Sequence, residues 1–171
     1  MVEKFNLRKS RKEESSKKMR LIDEFINRKG LEEKTYKMRG RKLLVLSNSR
    51  FGAINTEKIT SYIEQHIIAA ERGIINTCFK VANDACLGRV MTGRVVSWDG
   101  TSNFAFYRNH CVNFDELDDG TVISVDLTAA SNIDHHQGNF DILGLIAESL
   151  PMLLEQLNSL YGGSWEVMNI D

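Results

Sequence analysis

The sequence predicts an α+β fold, with N-terminal helices, a central antiparallel sheet of about four to five strands, and C-terminal helices. Three observations predict it. Apolar residues recur at helical spacing through the first half of the chain. The period then changes to runs rich in β-branched and aromatic residues, GRVMTGRVVSW, NFAFYRNHCVNF and TVISVDLT, separated by the turn signals DGTSN and LDDG. The tail returns to helical spacing, and a chain with a single proline is poorly suited to a sandwich of many short strands.

The elements follow in order. From Ser15 or Ser16 as N-cap, Met19, Ile22, Phe25 and Ile26 form an apolar stripe that ends at Gly30. The charged segment LEEKTYKMRGR leads into KLLVLSNS, a buried strand ending in a polar turn. Thr56 opens a second helix with Ile59, Tyr62, Ile63, His66, Ile67 and Ala70 on one face, closed by Gly73. IINTCFKVANDACLG is a third helix candidate, with Asn76 or Thr77 as N-cap and Gly88 past its end. After the strands, FDILGLIAES reads as helix. Pro151 then stands at a first helical position, and MLLEQLNSLY ends at Gly162–Gly163.

A net charge of −1 hides a polar layout. Residues 1–50 hold 16 Lys/Arg against 7 Asp/Glu, and residues 51–171 hold 6 against 16. On this basis residues 1–42 form a basic, partly helical arm and residues 43–171 a single acidic α+β domain. Arg8, Lys9, Arg11, Lys12, Lys17, Lys18 and Arg20 would meet phosphates or anionic headgroups without reading a sequence. The partner is then a polyanion (nucleic acid or an anionic membrane surface) or an acidic protein. The amphipathic helix and the Leu-rich tail also suit a homo-oligomer. No apolar run approaches the roughly 20 residues of a membrane span, and the first residues lack a secretory core. Cys78, Cys86 and Cys111 show no paired spacing, which points to a reducing, cytoplasmic compartment.

RNHCVNFDELDDGTVISVDLT carries the chemistry of most interest. A thiol nucleophile needs a helix N-terminus or a neighbouring histidine, and that histidine needs a third group to orient it. Cys78 falls in the first turn of its helix, His110 begins one strand and Asp126 nears the end of the next. Cys86, in the helix's last turn, reads as core. Cys111 points away from His110, as neighbours in a strand do.

The hairpin register decides whether a dyad forms. A two-residue Asp119–Gly120 loop sets Val112 opposite Leu127 and Phe114 opposite Val125, which gives a matched apolar face but turns Asp126 away from His110. A three-residue Asp118–Asp119–Gly120 loop with a left-handed glycine makes His110 and Asp126 diagonal neighbours on one face. The first register has the cheaper packing.

The order Cys78, His110, Asp126 resembles that of the transglutaminase-like and papain-like cysteine enzymes, over about 50 residues of this chain. There a Cys at a helix start is followed by a His opening one strand and an Asp or Asn on the next. That resemblance implies a thiol hydrolase or acyltransferase. INTC departs from the pattern in lacking its glycine and aromatic context. NIDHHQGN, through Asp134, His135 and His136, resembles the third motif of the DHH phosphoesterases and so implies metal ligands, but no paired aspartates follow LLVLSNS. No CxxC or HxxxH spacing, glycine-rich phosphate loop or Rossmann fingerprint is present, so no cofactor is expected. The reading preferred from sequence is a non-enzymatic interaction or assembly protein using its basic arm, because it requires no particular hairpin register. The thiol enzyme is the alternative.

Overall fold

The computed structural model describes residues 23, 25–47, 54–65, 78–87, 91–98, 109–129 and 140–169. Its element order is β1 (Glu32–Met38), β2 (Arg41–Ser47), α1 (Thr56–Gln65), α2 (Cys78–Leu87), β3 (Gly93–Ser97), β4 (His110–Glu116), β5 (Val122–Asp126), β6 (Ile142–Ala147), α3 (Leu150–Tyr161) and β7 (Glu166–Val167). The strands form one sheet in the order β1-β2-β6-β5-β4-β3-β7. Helices and sheet together make an α+β fold. The sheet is larger than expected, seven strands rather than four or five, and it is mixed, because β2 and β6 run parallel.

Three strands are additional to those expected: the two-residue β7 at one edge, β1 at the other, and the central β6. Glu32–Met38, a charged segment in sequence, is a strand at the sheet edge with most of its residues exposed. Arg39 (φ 46°) and Gly40 (φ 76°) both take left-handed backbone, as a two-residue hairpin loop into β2 requires. Charges along an edge strand discourage further pairing, so an edge strand of this kind shows no apolar alternation. β1 thus lies within the residues assigned by charge to the arm, hydrogen-bonded along its length to β2.

β6 spans Ile142–Ala147, where helix was expected. It is a strand buried at every position, between β2 and β5. A continuous apolar run bounded on both sides has neither a two- nor a 3.6-residue period to separate the alternatives. The residues that follow are helical as expected: Ser149 caps α3, its side chain accepting from the Met152 N–H, and Gly162 (φ 77°) ends it.

Both faces of the sheet are covered. One core joins Leu44, Leu46, Val95, Val112, Phe114, Leu143 and Leu145 to Leu153, Leu157 and Leu160 of α3. Phe25 and Leu31 enter the same core, and the helical turn before them ends at Gly30 (φ 61°). The other core joins Leu43, Val45, Ile123, Val125, Ile142 and Ile146 to Ile59 of α1 and to Val81 and Ala85 of α2. Among the described residues no helix is long and apolar enough to cross a membrane.

This two-sided burial overturns the register expected for the β4–β5 hairpin. Asn113 pairs with Val125 and Phe114 with Ser124. Gly120 (φ 84°) closes the three-residue loop, its N–H donating to Leu117 O at 2.9 Å. The two-residue loop was favoured on the premise of one apolar face. His110 to Phe114 and all of β5 are buried, so both faces are interior and the matched face carries no advantage.

Gly93 lies opposite Phe114, and a Cβ there would come within 2.5 Å of the ring. Gly93→Ala is expected to cost roughly 1–3 kcal/mol by overpacking. The gain of about 0.4–1 kcal/mol from a stiffer unfolded chain is too small to offset it. Denaturant midpoints of the two proteins check this, and an unchanged midpoint would show that the ring moves aside freely.

Candidate functional site

The site begins with the β4–β5 register. Because the three-residue loop shifts β5 by one position, Asp126 lies on the same face of the sheet as His110. The His110 Nε2 to Asp126 Oδ2 separation is 2.8 Å, with both side chains buried. The same Oδ2 accepts from the Tyr161 hydroxyl at 2.6 Å. Oδ1 accepts from the Thr128 N–H and from the Thr128 hydroxyl, each at 2.9 Å. Four donors on two oxygens fix the carboxylate in position and orientation.

His110 is the first residue of β4, so its ring lies at the end of the sheet. It meets α3 edge-on through Tyr161, with centroids 5.2 Å apart, and Trp165 at 6.0 Å. The side chain of Cys78, the first residue of α2, is among the groups that raise the pKa of the His110 ring. Asp126 accepts at Nε2, so that nitrogen carries hydrogen, and Nδ1 is the ring nitrogen left to the thiol. A buried carboxylate thus holds the imidazole, and the half-buried Cys78 is close enough to act on that ring.

Each charge has a physical cause. Burial, the largest influence on His110, opposes its positive charge. The Asp126 charge, the Asp126 hydrogen bond and the Cys78 side chain outweigh burial and raise His110 from its ordinary 6.5 to about 10. Burial likewise opposes the charge of Asp126, and His110, Tyr161 and Thr128 overcome it, keeping the carboxyl below its ordinary range. Burial and the adjacent Asp126 push the Tyr161 phenol well above its ordinary value, so it remains a donor.

The other two cysteines differ in kind. Cys111 points to the opposite face from His110, and burial together with the nearby Cys78 pushes its thiol up to about 12. Burial raises Cys86, and Arg94 and Asn113 offset only part of that. Asn113 also holds α2 against the sheet, its amide donating to Ala82 O at 2.9 Å and to Gly93 O at 3.2 Å. That anchor fixes where the start of α2 falls, and so where Cys78 meets His110.

Of the residues singled out from sequence, Cys78, His110 and Asp126 come together. Arg8, Lys9, Arg11, Lys12, Lys17, Lys18 and Arg20 lie outside the described residues, as do His66, Asp134, His135 and His136. Sequence reasoning missed Tyr161, Thr128 and Trp165. A signal for Thr128 exists in the spacing Asp126-Leu127-Thr128, where an aspartate accepts from the backbone two residues on. Tyr161 meets Asp126 across 35 positions, and no local pattern announces that. Comparisons with protein-family models, with curated proteins and with solved structures return no match.

Proposed function

We propose that the chain is a cysteine-nucleophile hydrolase or acyltransferase in which Cys78 attacks a carbonyl carbon, His110 moves the proton and Asp126 orients His110. The observation that carries this reading is the 2.8 Å contact between buried His110 and Asp126, with Cys78 close enough to act on the imidazole. Supporting it, Cys78 opens a ten-residue helix, and helix N-termini favour negative charge on a nearby sulfur.

In the first step the Cys78 sulfur, its proton already held by His110, bonds to the acyl carbon as the carbonyl electron pair moves onto oxygen. The bond to the leaving amine or alcohol then breaks, and His110 gives that group the proton, leaving a thioester on Cys78. Water or an acceptor amine attacks the thioester carbon, losing its proton to His110, and the carbon–sulfur bond breaks to restore the starting sulfur beside protonated His110. The Cys78 N–H, at the start of α2, is the donor assigned to the developing oxyanion.

p-Nitrophenyl acetate tests the reading. The expected result is release of nitrophenolate together with an acetyl group on the Cys78 peptide, both lost in Cys78→Ala. Acetylation that persists elsewhere while Cys78 stays unmodified would defeat it. The charge layout supports a second, compatible reading, in which the basic residues of 1–42 bring the enzyme to a polyanion or acidic partner.

A further inference from the structure

We infer that Phe79 and Trp98 form the surface that selects the substrate, taking an aromatic or bulky apolar group next to the carbonyl that Cys78 attacks. This rests on the thiol-enzyme reading above. Phe79 directly follows Cys78 in α2, and Trp98 directly follows Ser97, the residue paired with His110 across β3 and β4. The two rings are stacked, with centroids 5.2 Å apart and planes 25° from parallel. They therefore join the strand that flanks the histidine to the helix that carries the sulfur.

Single exposed apolar residues are ordinary on protein surfaces. This one is held in place. Trp98 is 52% exposed, yet its ring is stacked on Phe79 and its indole N–H donates to Glu166 Oε1 at 3.2 Å, tying it to β7. A fixed aromatic surface offers contact area with little side-chain entropy left to lose on binding. Leu87 and Val167 are the other large exposed hydrophobics among the described residues. Leu87 ends α2, at the far end from Cys78, and Val167 is in β7. Of the three, Trp98 is the one stacked on the residue that follows Cys78.

Two electrophiles separate this inference from the reading beneath it. Chloroacetamide and N-benzyl chloroacetamide both alkylate sulfur: the carbon–sulfur bond forms as the carbon–chlorine bond breaks, chloride leaves, and the thiol proton goes through His110 to solvent. Rates at Cys78 are measured by mass spectrometry on the full chain and divided by the rates of the same reagents with free cysteine. The benzyl reagent is expected to be favoured by about two- to tenfold, the range of an aromatic stacking contact. Trp98→Ala should remove the preference without changing the chloroacetamide rate, and Trp98→Phe should keep most of it. A fast chloroacetamide reaction with no benzyl preference, or a preference intact in Trp98→Ala, overturns the selecting surface and leaves the thiol reading standing. If chloroacetamide reacts no faster at Cys78 than with free cysteine, the thiol reading fails and the inference fails with it.

Discussion

Replacing Asp126 with alanine is expected to destabilise the folded chain by roughly 3–5 kcal/mol, the usual cost of removing one partner from a buried ion pair. The change leaves His110, the Tyr161 hydroxyl and both Thr128 donors without their acceptor in the interior. Asp126→Asn should cost less, because an amide oxygen can still accept from Thr128. Tyr161→Phe should cost less again, about 1–3 kcal/mol, as it deletes a single bond to a charged group.

The loss should depend on pH. His110 is raised in the folded state, so its contribution is complete below its unfolded value of 6.5 and disappears as pH climbs through about 10. Asp126 is lowered, so its contribution is present above 3.8 and is lost as pH falls through its depressed native value. Both describe one ion pair, and its contribution counts once. The gap between wild type and Asp126→Asn should therefore be widest from about pH 4 to 6.5 and close toward pH 10. Denaturant unfolding at several pH values measures it, and a gap that widens with rising pH would show that the pair is not ionised in the folded protein.

Replacing His110 is expected to have the largest effect on chemistry, a fall of about 10²–10⁴-fold in acyl transfer, the usual contribution of a positioned acid–base group. His110→Gln is the informative variant. Its amide N–H can still donate to Asp126, so the buried carboxylate is not abandoned, but glutamine cannot take the thiol proton. A folded His110→Gln protein that hydrolyses p-nitrophenyl acetate at the wild-type rate would remove the imidazole from the mechanism.

The helices at Thr56 and Pro151, and the one that carries Cys78, were legible in sequence from their start signals and apolar stripes; the Ser149 cap was not among those signals. The strands at the extremes of burial were not legible. β1 is an exposed edge whose charges carry no alternation, and β6 is central with both sides apolar. The candidate site was half legible. The order Cys78, His110, Asp126 and the three-residue loop that makes a dyad were both visible. The hairpin preference went the other way, because a single apolar face was assumed where helices cover two. Tyr161, on a helix far along the chain, becomes part of the site only through tertiary packing.

On the proposed mechanism Cys78, alone of the three cysteines, is reactive in the folded protein. The most direct test is the iodoacetamide alkylation rate at Cys78, Cys86 and Cys111, resolved by mass spectrometry from pH 5 to 10. Cys78 is expected to be modified at least about tenfold faster than free cysteine at the acidic end, where an ordinary thiol of pKa about 8.5 is almost wholly protonated. His110→Gln should abolish that advantage, while buried Cys86 and Cys111 stay slow throughout. Three thiols that remain equally slow until the protein unfolds would contradict it.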